Sequence, residues 1–122
     1  MPAILRSDPV LAVTDLRRSA KWFEDVLGCE VAEVVPGQWT FCRAAGTTFR
    51  LGLCPDAVPA SEIGDHSYLA YLIVDDVDAF HLRATEQNAN VPRAPQDEPW
   101  GMREFALHSP DGHRFMLGQP TG

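Results

Sequence analysis

The stretch "PVLAVTDLRRSAKWFEDVLG", residues 9–28, has the pattern of a strand followed directly by a helix. Residues 9–13 are apolar enough for a buried strand. The apolar positions that then fall on one helical face are Leu16, Ala20, Phe23 and Leu27. Asp15 has the side chain of an N-cap, and Gly28 suits the left-handed residue that ends a helix. The stretch therefore predicts a strand and an amphipathic helix with both ends marked.

The same order of elements occurs twice along the chain. After the first helix, strands are predicted at 30–35, 38–44 and 47–54. The second half predicts a strand at 68–74, a helix at 77–88 behind Asp76, and strands near 91–95, 103–108 and 113–118. Asp15 recurs 61 residues later as Asp76, and Gly46 recurs 66 residues later as Gly112. The sequence is thus a repeat of one βαβββ unit.

The repeat predicts an α+β fold of two tandem βαβββ modules. In this fold a curved mixed sheet surrounds a concave cavity, and the helices lie on the convex side. We expect a single domain over residues 1–122, with a first module at 8–54, a linker at 55–67 and a second module at 68–118. The linker is long enough for the modules to pair within one chain or to swap between two chains, and the sequence leaves both arrangements open.

Composition and charge exclude several classes of function. The formal net charge of −7 opposes binding to nucleic acid, which needs clustered Lys and Arg. No apolar run is long enough to span a membrane, and the N-terminal residues lack the apolar core of a signal peptide, so we expect a cytoplasmic protein without a membrane partner. The cysteines Cys29, Cys42 and Cys54 form no metal-binding or disulfide pattern, and we expect buried thiols.

The two copies differ in length by about five residues, and the excess falls in "VPRAPQDEPWG", residues 91–101, which contains Trp100. An aromatic residue at the entrance to a strand either covers a pocket or fills the core. Because the first copy lacks this segment, the segment is not needed to complete the βαβββ unit. The comparison of the two copies therefore favours Trp100 as a cover over a pocket.

Three motifs resemble the vicinal oxygen chelate superfamily, which includes glyoxalases, extradiol dioxygenases, fosfomycin-modifying enzymes and bleomycin-resistance proteins. They are V-x-D-L at 13–16, F-x-x-V-L-G at 23–28 and S-P-D-G-H at 109–113. The stretch "EPWGMREFALHSPDG", residues 98–112, is most similar to the bleomycin-resistance branch. Met102 departs from that pattern as an extra residue between Gly101 and the "REFAL" run.

The resemblance implies four positions at which enzymes of the superfamily hold a divalent metal. In this chain they are Asp8, Arg50, Leu69 and Met116. Leucine has no donor atom, a guanidinium repels a cation and a thioether is a poor ligand for hard cations. His66 and His113 each stand three residues from an expected position, which places them on the opposite face of a strand. We therefore predict no metal and no cofactor.

The resemblance also implies a ligand cleft shared by two subunits, in which a planar ring of the ligand stacks on Trp100 and on Trp39 or Phe41. Alternation along the strands predicts that Phe49, Leu51 and Leu53 pack in the core and that the residues between them face a largely apolar trough. Glu104 is the one candidate acid or base. The complete set of predicted ligand-binding residues is Trp100, Trp39, Phe41, Arg50, Leu69, Tyr71, Glu104, Arg114 and Met116. No catalytic residue is predicted.

The leading hypothesis is a metal-free homodimer that binds and sequesters a planar or cationic small molecule of the antibiotic type, as in antibiotic resistance. The alternative is a metal-dependent enzyme: a glyoxalase-like lyase, a transferase or an extradiol-dioxygenase-type enzyme with an unusual ligand set. A third possibility is a scaffold without a ligand, which predicts a closed or filled trough. An open trough beside Trp100 distinguishes the first hypothesis from the third.

Overall fold

The computed structural model describes residues 1–64 and 67–122. Its strands are β1 (Val10–Val13), β2 (Glu30–Val35), β3 (Trp39–Arg43), β4 (Thr48–Leu53), β5 (Tyr68–Ile73), β6 (Asn90–Asp97), β7 (Met102–His108) and β8 (Arg114–Pro120). The helices are α1 (Leu16–Leu27) and α2 (Val77–Glu86), with a short 3-10 helix at Ala60–Glu62. None of the helices in these two ranges is long and apolar enough to cross a membrane.

The strands form two four-stranded mixed sheets, in the orders β1-β4-β3-β2 and β5-β8-β7-β6. In each sheet the first strand runs parallel to the last, and the remaining pairs are antiparallel. The tandem βαβββ architecture predicted from the repeat is confirmed. Strands β1 and β5 each lie at a sheet edge, so each offers one row of backbone groups without a strand partner in its own sheet.

Local signals place both helices as the sequence predicts. The Asp15 carboxylate accepts a hydrogen bond from the Arg18 amide at 3.0 Å, and the Asp76 carboxylate accepts one from the Ala79 amide at 3.0 Å. Each bond satisfies an amide that the first helical turn leaves without a partner. Gly28 ends α1 at a φ of 70°, a conformation that favours glycine.

One apolar core lies between the two units. The Phe115 ring of β8 lies 6.0 Å from the Phe23 ring of α1 and 5.7 Å from the Phe49 ring of β4, measured between ring centroids. Trp22 stacks on Phe115 at 6.3 Å. These contacts join the helix-bearing face of the first sheet to the helix-bearing face of the second.

The opposite faces of the two sheets therefore point away from each other. We call them the first outer face, which carries Val10, Trp39, Phe41, Arg50 and Gly52, and the second outer face, which carries Tyr71, Ile73, Glu104, Met116 and Gly118. Strand alternation assigns these residues to the outer faces, because the residues between them along β4 and β8 are buried, namely Phe49, Leu51, Phe115 and Leu117. Ile73 is 73% exposed and Val10 is also exposed, so apolar side chains on both outer faces meet solvent in the single chain.

Asp111, in the turn between β7 and β8, connects the second unit to the start of α1. Its carboxylate accepts hydrogen bonds from the Thr14 hydroxyl at 2.7 Å, the Ser19 hydroxyl at 3.2 Å and the Arg18 guanidinium at 3.3 Å. The S-P-D-G turn is thus a contact between the units as well as a local turn.

Three expectations about burial are wrong. Leu53 is exposed because it is the last residue of β4 and lies beyond the core. Leu69 lies at an irregularity of β5 between Tyr68 and Ala70, so its side chain packs against the core instead of lining the outer face. Cys54 is exposed, whereas Cys29 and Cys42 are buried as expected.

Candidate functional site

Glu104 is the centre of a polar cluster on the second outer face. It lies on β7 opposite Gly118 of β8, and its side chain is only 4% exposed. Its Oε2 atom accepts hydrogen bonds from the Tyr71 hydroxyl at 2.5 Å and from the Trp100 indole N–H at 3.4 Å. Its Oε1 atom accepts one from the Arg93 guanidinium at 3.4 Å. The cluster satisfies a carboxylate that would otherwise be costly to bury.

Tyr71 reaches Glu104 by crossing β8 at Gly118. A Cβ atom at Gly118 would overlap the Tyr71 hydroxyl, so glycine is the residue that allows this crossing. Burial, together with the hydrogen bond to Glu104, raises the pKa of the Tyr71 phenol to about 12. The phenol therefore stays protonated and remains a donor to the carboxylate near neutral pH.

Trp100 lies in a tight turn between β6 and β7. The Glu98 amide donates to the Met102 carbonyl at 2.7 Å, the Gly101 amide donates to the Glu98 carbonyl at 3.1 Å, and Gly101 has a φ of 83°. Trp100 is 62% exposed, which shows that its ring does not fill the core. Met102 is the first residue of β7 and pairs with Pro120, so the extra residue leaves the β7–β8 pairing regular.

Arg93 and Glu98 belong to the same cluster, and the sequence reasoning missed both. The Nη2 atom of Arg93 lies 3.2 Å from a Glu98 carboxylate oxygen and 3.4 Å from Glu104. The Nε atom of Arg93 is buried and has no hydrogen-bond partner among residues 1–64 and 67–122. Two irregularities interrupt the pairing of β6, which contains Pro92 and Pro95, so alternation could not assign its faces. The second outer face is consequently more polar than the predicted apolar trough.

The first outer face carries an ion pair and two aromatic residues. Arg50 donates to the Asp8 carboxylate at 2.9 and 3.2 Å, and its guanidinium carbon lies 4.7 Å from the centre of the Phe41 ring. The Trp39 ring lies against Gly52, where a Cβ atom would approach it to 2.8 Å. Both outer faces therefore seat an aromatic side chain over a glycine.

The four positions implied for a metal do not provide a metal site. The Asp8 carboxylate is already bound by Arg6 at 2.8 Å and by Arg50, and the hydrogen bond from Arg6 lowers the pKa of Asp8. Leu69 offers no donor, and the Met116 sulfur lies 4.0 Å from the Arg93 guanidinium. Among residues 1–64 and 67–122, no group of three His, Cys, Asp or Glu side chains could hold an ion.

Two histidines stand near those positions in the sequence. His66 lies outside the described residues. His113 lies beside Ser109, whose hydroxyl is 3.2 Å from the His113 Nδ1 atom, and burial lowers the pKa of this imidazole.

Arg114 is buried on β8 and donates to the backbone carbonyls of Gly64 at 2.8 Å and Ser61 at 3.5 Å. It therefore attaches the linker to the second sheet. Arg114 also lines a cavity of about 230 Å³, together with Tyr68, Pro92, Arg93, Ala106 and His108.

The predicted ligand-binding residues thus separate into two groups. Tyr71, Trp100, Glu104 and Met116 come together on the second outer face, with Arg114 at its edge. Trp39, Phe41 and Arg50 come together on the first outer face. Leu69 belongs to neither group.

Residues 6–117 match the family described as the Glyoxalase/Bleomycin resistance protein/Dioxygenase superfamily. The chain belongs to this superfamily. The match covers both βαβββ units, so the resemblance seen in the sequence motifs is confirmed.

Two solved structures share the fold of this chain. A bleomycin-binding protein complexed with bleomycin has a TM-score of 0.75 and 20% sequence identity, with 93% of this chain and 97% of that chain covered. Lactoylglutathione lyase from Agrobacterium tumefaciens has a TM-score of 0.71 and 20% identity, with 98% and 95% covered. The fold is therefore common to a binding protein and an enzyme, and the function must be argued from the site.

A curated relative matches part of the chain more closely. An uncharacterized protein from Mycobacterium bovis is 38% identical over 61 residues, which are 50% of this chain and 40% of that protein. The match thus spans about two fifths of the relative's length.

Proposed function

We propose that the protein binds and sequesters a planar, cationic small molecule of the antibiotic type, without metal chemistry. The observation that carries the proposal is the exposed Trp100 ring held beside the buried Glu104 carboxylate on an open sheet face. An aromatic ring stacked on Trp100 would gain about 0.5–1.5 kcal/mol beyond the burial of its area. A positive charge on the same ligand would be attracted to the Trp100 ring face and to the net charge of −7.

The donor set supports binding over metal-dependent chemistry. Of the four positions implied by the family, only Asp8 offers a hard oxygen donor, and two guanidinium groups already occupy it. A divalent cation needs several oxygen or imidazole ligands in one place. A binding protein needs no such ligand set, and the second outer face offers an exposed aromatic ring beside a few polar groups.

We further propose that the protein acts as a homodimer. Two copies would place the first outer face of one against the second outer face of the other, which covers the exposed Val10 and Ile73 side chains and the free edges of β1 and β5. This arrangement would bring Trp39 and Phe41 of one copy towards Trp100 of the other. Apolar side chains and unpaired strand edges on the same surface favour such pairing.

Bleomycin is the probe for the binding proposal. Isothermal titration of the protein with bleomycin is expected to show saturable binding, and Trp100→Ala should weaken it by about tenfold, because a lost stacking contact of about 1.4 kcal/mol corresponds to that factor. Leu82→Ala is the matched control, since Leu82 is an exposed apolar residue on α2, away from both outer faces. Absence of binding, or equal binding by the Trp100→Ala variant, would refute the proposal.

The dimer is tested separately by light scattering coupled to size-exclusion chromatography. The unmodified chain should elute with twice the chain mass, and Ile73→Asp should elute as a monomer because it buries a charge in the contact. Leu82→Asp introduces the same charge outside the proposed contact and should remain dimeric. A monomeric parent protein, or a dimer that tolerates Ile73→Asp, contradicts the arrangement.

A further inference from the structure

We infer that Glu104 is a positioning residue that fixes the orientation of the two aromatic side chains of the second outer face, Tyr71 and Trp100. The inference rests on the proposed function, in which the ligand contacts Trp100. It adds a role for a residue that is itself too buried to offer the ligand much surface.

The geometry of the carboxylate carries the inference. The Tyr71 hydroxyl and the Trp100 indole N–H both donate to the same oxygen, Oε2, while Arg93 donates to Oε1. The three donors come from β5, from the turn before β7 and from β6. The Glu104 side chain therefore sets the relative orientation of three donor groups that lie on different elements of the fold.

The hydrogen bond to Glu104 holds the exposed Trp100 side chain in one orientation. The backbone around Trp100 is fixed by the turn that Gly101 closes, but the indole ring is mostly exposed. An exposed side chain samples several rotamers, and holding one of them before the ligand arrives reduces the entropy lost on binding. The hydrogen bond to Glu104 selects the rotamer in which the indole N–H faces the sheet and the ring faces solvent.

The core does not explain a buried carboxylate at this position. Burying a charge is unfavourable unless it is paired, and a well-packed apolar residue at such a site is often as stable or more so. The partners of Glu104 described above are side chains on the same outer face or at its edge. The placement of Glu104 is thus explained by the orientation of those side chains, which concerns the surface rather than the packing.

The test is the indole N–H signal of Trp100 in a ¹⁵N-labelled protein without ligand. The signal is assigned by its absence in Trp100→Phe. In Glu104→Gln we expect it to move upfield and its heteronuclear NOE to fall, while the Trp22 and Trp39 signals stay in place. Glu30→Gln, an exposed glutamate on β2, is the matched control and should leave all three signals unchanged.

A second variant keeps the inference falsifiable if Glu104→Gln does not fold. Tyr71→Phe removes the donor that shares Oε2 with the indole, so the Trp100 signal should move downfield as its hydrogen bond strengthens. The inference is overturned if the Trp100 signal does not respond to either variant. It is also overturned if all three indole signals shift together, which would show a general structural role.

Bleomycin binding separates this inference from the proposed function. Glu104→Gln should weaken binding about as much as Trp100→Ala, and the double variant should be no weaker than Trp100→Ala alone, because Glu104 acts through Trp100. If Trp100→Ala binds bleomycin normally, the proposed function fails, while the indole signals still decide whether Glu104 orients the ring. If the two single variants weaken binding additively, Glu104 contacts the ligand directly and the positioning role is wrong.

Discussion

Replacing Asp111 by alanine should destabilise the whole protein, although Asp111 lies in a turn. Its carboxylate is nearly buried and joins the β7–β8 turn to the start of α1. Ser19 is 1% exposed, so its hydroxyl would lose an acceptor that water cannot easily replace. Leaving such a buried group without a partner costs about 1–3 kcal/mol.

The other two donors add little to this figure. The Arg18 side chain is 52% exposed, and Thr14 is also exposed, so water replaces the carboxylate at both. Exposed ion pairs are typically worth less than about 1 kcal/mol. We therefore expect Asp111→Ala to lower the free energy of unfolding by about 2 kcal/mol. With a urea dependence of about 1–3 kcal/mol per molar, the midpoint should fall by roughly 1 M.

The assay is urea unfolding at one fixed protein concentration, followed by tryptophan fluorescence and by circular dichroism. Asp56→Ala removes the same charge from an exposed position and should leave the midpoint unchanged. A double-mutant cycle of Asp111→Ala with Ser19→Ala separates the hydrogen bond between these two side chains from other effects of each substitution. If the effects of Asp111→Ala and Ser19→Ala simply add, or if Asp111→Ala shifts the midpoint no more than Asp56→Ala, the hydrogen bond between the units does not stabilise the protein as argued.

Three further predictions concern titratable groups and metal content. In the native protein only the exposed Cys54 thiol should react rapidly with a disulfide reagent near pH 8. Burial raises the pKa of Cys29 to about 11 and that of Cys42 to about 12, so these two thiols should react only in denaturant. Three rapidly reacting thiols in the native protein would contradict this prediction. Burial lowers the pKa of His113 below its ordinary value of 6.5, so the unfolded chain binds the proton at a higher pH than the folded protein does. The free energy of unfolding should therefore fall as the pH is lowered through 6.5. His113→Gln should reduce this pH dependence, and an unchanged pH dependence would show that other groups cause it. Elemental analysis of the purified protein should find no stoichiometric divalent metal, and a bound ion that is lost with Asp8→Ala would reverse the assignment of the site.

Local signals in the sequence predicted much of the fold. The caps Asp15 and Asp76 act within one helical turn, so neighbouring residues determine them. The repeat extended the same prediction to the second unit. Leu69 could not be placed in this way, because the irregularity beside it arises from the pairing of β5 with β8, more than forty residues away.

The candidate site was harder to predict because it depends on how the units pack. Trp39 and Trp100 are predicted to line one cleft that two subunits share, and the ring contacts of Phe115 turn the faces of these two residues in opposite directions within one chain. Strand alternation gives the face of a residue within its own sheet and carries no information on the orientation of one sheet to another. Arg93 was missed for a related reason, since the irregular pairing of β6 hides its face.

The contacts of Asp111 and Phe115 also affect the order in which the chain can fold. Asp111 is 97 residues from Thr14 and 92 residues from Ser19, yet it completes the start of the first helix. During synthesis the whole first unit leaves the ribosome well before Asp111 and Phe115 are made. Until then Phe23 and Phe49 lack the Phe115 ring that packs against them in the folded protein. Contacts this distant in sequence slow folding and leave apolar surface exposed in the meantime. The two halves are similar in sequence, but the first reaches its native packing only when the end of the second has been made.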